Sequence, residues 1–433
     1  AAELLSASRS VAYYCWTGVG QHRHATQTDR AIALLVALKG RHDAPGGNVA
    51  FTKVPTNPAN GAELLTPEFT SRAIGYGERP IGPAAMGWVR ALDVYRAILD
   101  AVPYKVRGLV SFGANFAVSQ AGTDLAVDAL EKLEFHVHCD RVMTPTAQFA
   151  DYILPANTPW EREALRVGFE VSQEAESLVQ LRQAVVPSAG ESRSDTDIVF
   201  ALATRLGMAD AFFGGDVDAA RNWQLAPAGL NVAQLRAAPE GISLPQRQRH
   251  RKYAEETEGG YCGFATDTGL IEVYSDLLRR HDQPPVPRIV GDIPGPDRDF
   301  PLLLTTAKSP YYCHSQYRSI PSLRKRAPQP QVRLHPDAAA LYDLEHGDTV
   351  RLCTEAGEVR MQLACDRSLD PGTAVADYGF WQANSKLRLP GYDPFSNKGA
   401  NFNRLISLSE ADPVSGALPH RSTRCAVRPL EEG

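Results

Sequence analysis

From residue 1 to about 210, short apolar runs alternate with amphipathic stretches, the pattern that builds a parallel sheet covered by helices. Apolar runs at 11–16, 107–112, 135–140 and 152–155 predict the strands. Between the first two, a helix is predicted over 28–39: Thr26 and Asp29 have capping-box spacing, Lys39 falls in the last turn, and Gly40 offers a left-handed stop. Ile32, Leu34, Leu35, Val36 and Leu38 leave that helix almost no polar face, so burial on most sides is expected. A helix over 124–133 sets Leu125, Ala129, Leu130 and Leu133 opposite Asp124, Asp128, Glu131 and Lys132. Another over 195–206 spaces Ile198, Leu202 and Leu206 four apart, with Ser194 and Asp197 at its start and Gly207 at its end. A helix over 88–102 is stopped by Pro103.

The pattern breaks down over 211–298, where Gly214-Gly215, Pro239, Pro245, a polar run at 246–258 and Pro284-Pro285 predict a linker with local structure; Leu270 to Val273 is a candidate edge strand. From 299 to 433 the period changes. Short β-rich runs at 301–306, 331–335, 349–354, 358–365, 373–378 and 424–427 are separated by turns such as Asp370-Pro371-Gly372, and closely spaced strands without long helices predict a small closed barrel. The expected fold class is therefore α/β: a doubly wound parallel-sheet domain over 1–210, the linker, and a six-stranded β-barrel domain over 299–433.

Composition narrows the function classes. A chain of 433 residues predicts two or three domains, and 43% hydrophobic with 22% charged residues excludes wholesale disorder. The longest clean apolar run, 31–38, is far short of the roughly twenty residues a membrane helix needs, so no span is expected. A net charge of −5 supplies no positive field for a polyanion, which argues against nucleic acid. The seven cysteines are scattered, with no pair at the spacing of zinc or iron–sulfur sites; they read as small buried hydrophobes, and their odd number points to free thiols in a reducing, cytoplasmic setting. The chain starts at Ala1 rather than Met, which predicts either processing or a piece of something longer.

In a parallel sheet the loops after the strands emerge on one edge, where doubly wound folds bind ligands. Four such loops are Thr17 to His22, Gly113 to Phe116, Asp140 to Thr146 and Ala156 to Glu161. Their glycines admit a ligand close to backbone, and two run into helices whose free N–H groups favour phosphate, so a nucleotide with a diphosphate and a heterocycle is inferred. Other readings stand beside this one. Gly18 and Gly20 open a dinucleotide fingerprint whose third glycine position is Arg23, and they read equally as turn glycines; Asp140 reads equally as a helix N-cap, and His22 and His24 as surface residues without a third metal ligand. Arg324-Lys325-Arg326 is a phosphate clamp or a solvated face. No nucleophile elbow, zinc-protease helix or Walker loop occurs, so no catalytic residue and no metal ligand is assigned.

Taken together, these segments resemble the later half of the molybdopterin oxidoreductases that carry a bis(molybdopterin guanine dinucleotide) cofactor, the dimethyl-sulfoxide-reductase family. The resemblance is carried by Trp16-Thr17-Gly18-Val19-Gly20-Gln21-His22, Pro45-Gly46-Gly47-Asn48, Gly113-Ala114-Asn115, and Asp140 through Thr144-Pro145-Thr146-Ala147 to Pro155. In the last region it is carried by Leu303-Leu304-Thr305-Thr306, His335-Pro336-Asp337, His346-Gly347-Asp348 and Gly399-Ala400-Asn401-Phe402-Asn403-Arg404. It implies that Asn115 and Asp140, with Gly113 and Thr144, hold a guanosine or its diphosphate. Gln21 and His22, beside Gly18 and Gly20, would face the pterin, and Thr306, Lys308, His314, Asn401 and Asn403 would line the pterin side from the barrel. The family's Thr-Gly-Arg near the barrel start reads Thr306-Ala307-Lys308, replacing a planar guanidinium fork by a point charge.

The resemblance implies the cofactor-binding portion of a molybdenum or tungsten oxidoreductase performing two-electron or oxygen-atom transfer. The metal ligand and a 4Fe-4S cluster would lie in a preceding N-terminal part or partner subunit, with an electron-transfer subunit as a further partner; Cys15, inside an apolar run, is no substitute ligand. A metal-free scaffold or assembly subunit descended from that family is the alternative reading. A nicotinamide dehydrogenase would need a ribose-binding acid after a second strand, and none can be placed. A cleft between the first domain and the barrel, open on one side, is expected.

Overall fold

A computed structural model describes residues 2–288 and 295–430; residues 289–294 of the predicted linker and 431–433 of the predicted barrel region lie outside the described residues. The apolar run at 11–16 forms no strand. Tyr13 receives both of its backbone hydrogen bonds from one side chain, donating N–H to Asn48 Oδ1 (2.7 Å) and accepting from Asn48 Nδ2 (2.5 Å), so an amide takes the place of a neighbouring strand. Helix α1 (Ala25–Leu38) begins before the predicted capping box. Thr26 instead donates from N–H and Oγ1 to the Asp412 carboxylate, and Asp29 accepts from the Tyr13 hydroxyl (2.7 Å). The helix stops at Gly40 in the left-handed region (φ 63°), as its sequence predicts. Its burial is less than expected: Val36 is inside, but Leu35 and Leu38 are exposed.

Helix α2 (Ala91–Asp100), strand β1 (Gly108–Phe112), helix α3 (Thr123–Lys132), strand β2 (Phe135–Asp140) and strand β3 (Tyr152–Pro155) follow. The three strands pair in parallel in the order β1-β2-β3, with Phe112 opposite Cys139 and Asp140 opposite Pro155. Helices α2 and α3 share a core of Leu92, Tyr95, Ile98, Ala126 and Ala129; Trp88 and Val89, predicted helical, precede α2 and are exposed. The two sheet faces reverse the usual polarity. Ser111, His136 and His138 point inward and are buried, whereas Val110, Phe135 and Tyr152 on the other face are 49%, 46% and 62% exposed.

Strands β4 (Ala164–Val167) and β5 (Leu178–Arg182) form a hairpin, followed by helices α4 (Asp195–Arg205), α5 (Val217–Leu225) and α6 (Val232–Ala237) and a short strand β6 (Ile242–Ser243) that joins β5. Ser194 caps α4 by accepting the Asp197 N–H (3.1 Å). Of the predicted apolar stripe only Ile198 is buried, and Leu206 is 75% exposed. The first part of the stretch read as a linker is folded: Leu225, Val232 and Leu235 pack on Val179 and Leu181 of β5. Leu270 to Val273 forms no strand.

The last region closes into a barrel of β7 (Leu302–Thr306), β8 (Gln331–Leu334), β9 (Thr349–Cys353), β10 (Glu358–Cys365), β11 (Thr373–Ala376) and β12 (Thr423–Pro429). Its cyclic order is β8-β10-β9-β12-β7-β11. Alternation along the strands fills the interior with Leu302, Leu304, Val350, Leu352, Val359, Met361 and Leu363. Fold class is thus α/β with a parallel sheet and a closed six-stranded barrel, as the sequence predicts. Asn401 fastens the barrel to the sheet domain: its buried Nδ2 donates to Ala117 O (2.9 Å), Thr123 Oγ1 (3.0 Å) and Pro394 O (3.2 Å).

Candidate functional site

Two strand ends build the floor of the site. After β1 the chain turns at Gly113, whose positive φ (58°) costs a side chain strain that glycine avoids; its N–H donates to Cys139 O (2.8 Å), tying it to the end of β2. A Cβ there would meet no atom within 4 Å, so the backbone faces open space. Asn115 follows, buried, donating Nδ2 to Ser315 Oγ (3.2 Å) and accepting from Thr146 Oγ1 (3.3 Å). At the end of β2, Asp140 Oδ1 accepts the N–H groups of Arg141 (2.6 Å) and Val142 (3.3 Å). Burial raises the Asp140 carboxyl, but His138 and these two N–H groups outweigh it and leave it below the usual carboxylate range. Thr144 accepts the Ala147 N–H (3.2 Å) and so starts the turn that leads into β3.

The opposite wall is the segment after β7. His314 sits in the left-handed region (φ 48°), and Gly379 is needed there because a Cβ would lie 2.5 Å from His314 O. Behind the wall Arg318 is 2% exposed, wedged between the rings of Tyr312 (4.3 Å) and Phe380 (4.9 Å), and donates to the carbonyls of His314, Gln316 and Tyr378. Desolvation lowers its guanidinium to about 10. Arg324, fully buried, donates to the carbonyls of Pro328, Gln382 and Pro390. That residue of the basic run is neither a clamp nor a solvated face but a brace for the wall.

Between floor and wall lies a cleft of about 990 Å³, lined by Gly113, Asn115, Asp140 and Thr144 on one side and Ser315 and Trp381 on the other. It is the cleft expected between sheet domain and barrel. Arg162 and Arg182 also line it, each with a buried Nε that has no hydrogen-bond partner. A smaller cavity of about 210 Å³ adjoins through His314 and carries Lys308, Arg318 and Arg333.

The remaining predicted residues lie apart from the floor. Residues 17–20 form a helical turn, and a Cβ at Gly18 or Gly20 would meet nothing within 4 Å. This turn does not follow a strand; it is held to the barrel by Arg421, which donates to Thr17 Oγ1 (3.3 Å), Gln21 Oε1 (3.2 Å) and Thr306 O (2.7 Å). His22 Nε2 lies 2.9 Å from Gly18 O. Lys308, which lines the smaller cavity, stands over the Trp16 ring at 6.0 Å, but none of residues 16–22 lines either cavity. Asn401 and Asn403 line neither cavity. Asn403 donates to Val118 O (2.6 Å) and its Oδ1 lies 3.2 Å from His420 Nε2, so both amides are spent on the junction between barrel and sheet domain.

Two family models match the chain: "Molybdopterin oxidoreductase" over residues 1–205 and "Molydopterin dinucleotide binding domain" over 302–424. The chain belongs to the molybdopterin oxidoreductase family. Similar relatives include "Dopamine dehydroxylase" of Eggerthella lenta, 26% identical over 90% of this chain and 46% of the relative. "Trimethylamine-N-oxide reductase" of Haemophilus influenzae is 25% identical over 84% of this chain and 48% of its own length. In fold, the chain is similar to "Acetylene Hydratase from Pelobacter acetylenicus", with TM-score 0.83, 20% identity, and 99% of this chain and 62% of that one covered. The chain spans about half the length of the curated relatives it matches.

Arg162, Arg182, Ser315, Trp381 and Arg421 escaped the sequence reading. Only Arg162 carried a signal, since it directly follows a strand-end loop, 156–161. Arg182 closes a strand, and Arg421 gains its role from a contact four hundred positions away in the chain.

Proposed function

We propose that this chain is the dinucleotide-holding portion of a molybdenum or tungsten oxidoreductase, with the guanosine diphosphate end of a molybdopterin guanine dinucleotide in the large cleft and the pterin end toward the Trp16–Gln21 turn and Lys308. One observation carries the reading: the Asp140 carboxylate, whose second oxygen has only the His138 ring beside it at 3.7 Å, and two guanidinium groups with unpartnered buried Nε atoms, one of them paired to Asp195 through Nη1, line one cleft. The donor set fits the group. Asp140 offers acceptors suited to the N–H edge of guanine, Arg162 and Arg182 offer donors for a diphosphate, and Gly113 leaves backbone open to close approach. The smaller cavity, with Lys308 and Arg333, suits the polar heterocycle and its phosphate.

When bound, the cofactor supplies two-electron redox or oxygen-atom transfer at its metal. The chain's own residues bind and orient it: Asp140 and Asn115 fix the nucleotide, Arg421 ties the Gln21 turn to β7, and Arg318 and Arg324 keep the His314–Trp381 wall rigid. The metal ligand, a 4Fe-4S cluster and the electron partner belong to a preceding part or separate subunit, and the location is cytoplasmic. Among the described residues, no helix is long and apolar enough to cross a membrane.

Acid release of nucleotide from protein purified in its native assembly tests the proposal. GMP in stoichiometric amount with molybdenum or tungsten supports it; folded protein devoid of guanine nucleotide overturns it and favours a metal-free scaffold.

A further inference from the structure

The wall segment 314–317 is stitched to the floor at two places. Inside, Ser315 Oγ accepts from Asn115 Nδ2 (3.2 Å), and both side chains are buried. At the exposed rim, Arg141, the first residue after β2, donates from Nη2 to Gln316 Oε1, and its guanidinium lies 5.9 Å from the centre of the Tyr317 ring. Arg141, Gln316 and Tyr317 all line the large cleft, so this second contact is a bridge across it. Tyr317 presents its ring there from the left-handed region (φ 75°), a strained setting for a bulky residue.

The backbone is held on both sides of the bridge. On the wall, Arg318 donates to the carbonyls of His314 and Gln316, Trp381 Nε1 donates to Ser315 O (2.8 Å), and Asn384 Nδ2 donates to Arg318 O (3.2 Å) and Ser319 O (2.9 Å). On the floor, Asp140 Oδ1 accepts the N–H groups of Arg141 and Val142. What is free to move is therefore the long, exposed side chain of Arg141 rather than either loop. Its hold on the wall is light. Among the described residues its guanidinium has no carboxylate partner, and its acceptor is a neutral amide, so no attraction between full charges keeps the bridge shut.

We propose that Arg141 is a latch across the cleft, which swings off Gln316 to let a nucleotide diphosphate pass and closes again behind it, an inference that rests on the guanine-nucleotide reading of the cleft. The bridge is intact in the free chain and in the loaded chain and is broken only during passage. Its removal therefore lowers the barrier to entry and to exit equally: exchange is faster and affinity is unchanged. A guanidinium that gripped the phosphates instead would slow exit alone and raise affinity. Gln316 separates the two behaviours, because replacing it breaks the bridge and leaves the positive charge of Arg141 in place.

Trp160 and Trp381 line the cleft, so their fluorescence reports its occupation. Stopped-flow mixing of GDP with the full chain, produced without cofactor, gives the association rate, and dilution of the complex gives the dissociation rate. Arg141→Ala and Gln316→Ala should each raise both rates by about fivefold to tenfold, as for one lost hydrogen bond to a charged group at an exposed site, and keep Kd within about threefold of wild type. The double variant should be no faster than either single one, since both remove the same bridge. Thermal unfolding of each variant is the control for the fold. Unchanged rates in either variant, or faster exit with unchanged entry in Arg141→Ala, overturns the latch and leaves the nucleotide reading standing. Failure of the wild type to bind GDP overturns that reading and the latch with it.

Discussion

At the residue scale the site depends on a division of labour within single side chains. Asp140 uses one oxygen to end β2, and under the proposed reading the other meets the ligand, so Asp140→Asn should preserve the fold, through its remaining carbonyl oxygen, while GDP affinity falls by about tenfold or more, as expected for a lost charge-assisted bond. Calorimetry on the variant checks this, with thermal unfolding as the control. Asn401 has no such spare capacity. Its two Nδ2 hydrogens are shared among three buried acceptors, and Asn401→Ala should destabilise the chain by about 1–3 kcal/mol in urea unfolding while leaving GDP affinity unchanged. The sequence revealed Gly113, Asn115 and Asp140 because strand-end loops of a parallel sheet meet by construction. It did not reveal the buried roles of Arg318 and of Arg324, the latter read as a phosphate clamp or a solvated face. Carbonyls about sixty positions away, of Tyr378, Gln382 and Pro390, accept from those guanidinium groups, and no local pattern encodes that.

At the element scale, regular alternation was the reliable signal. Val359, Met361 and Leu363 point into the barrel and their neighbours point out, so every barrel strand was legible. The run 11–16 has an equally apolar pattern, but Asn48 satisfies its backbone before a strand can pair with it. Helices α5 and α6 were hidden because their stretch is rich in breakers, yet an ion network locks them to the start of β4. Arg236 bonds Glu163 (2.7 Å) and Asp218 (2.7 Å), and Arg221 bonds the same two acids at 3.2 Å. The bond from Arg236 holds both carboxyls below their ordinary range. A depressed acid contributes stability that is complete above its unfolded value and is lost as pH falls through its folded value. Glu163→Gln should therefore be less stable than wild type at neutral pH, with the difference closing as pH drops below about 4. Urea midpoints at pH 7 and below that value check the sign.

At the scale of the whole molecule, the sheet and barrel cores meet through Ala121, which is buried in the barrel core, and through Leu408 and Leu418, which pack against both, with the Asn401 and Asn403 hydrogen bonds alongside; the cleft is what remains between the two bodies. Its existence was foreseeable from the order of the two domains, but its walls were not, since the Trp16–Gln21 turn reaches the barrel rather than the sheet edge. The same sheet leaves Val110, Phe135 and Tyr152 exposed, and parallel sheets are normally covered on both faces. The isolated chain should associate with rising concentration, and replacing Phe135 and Tyr152 by serine should suppress that association in light scattering.

Hydrogen–deuterium exchange of the chain with and without GDP tests the central claim most directly. Convergence predicts that one ligand protects 112–116, 140–146 and 313–317 together, while the barrel interior at 359–363 is unchanged. Protection confined to one of those segments, or centred elsewhere, would contradict it.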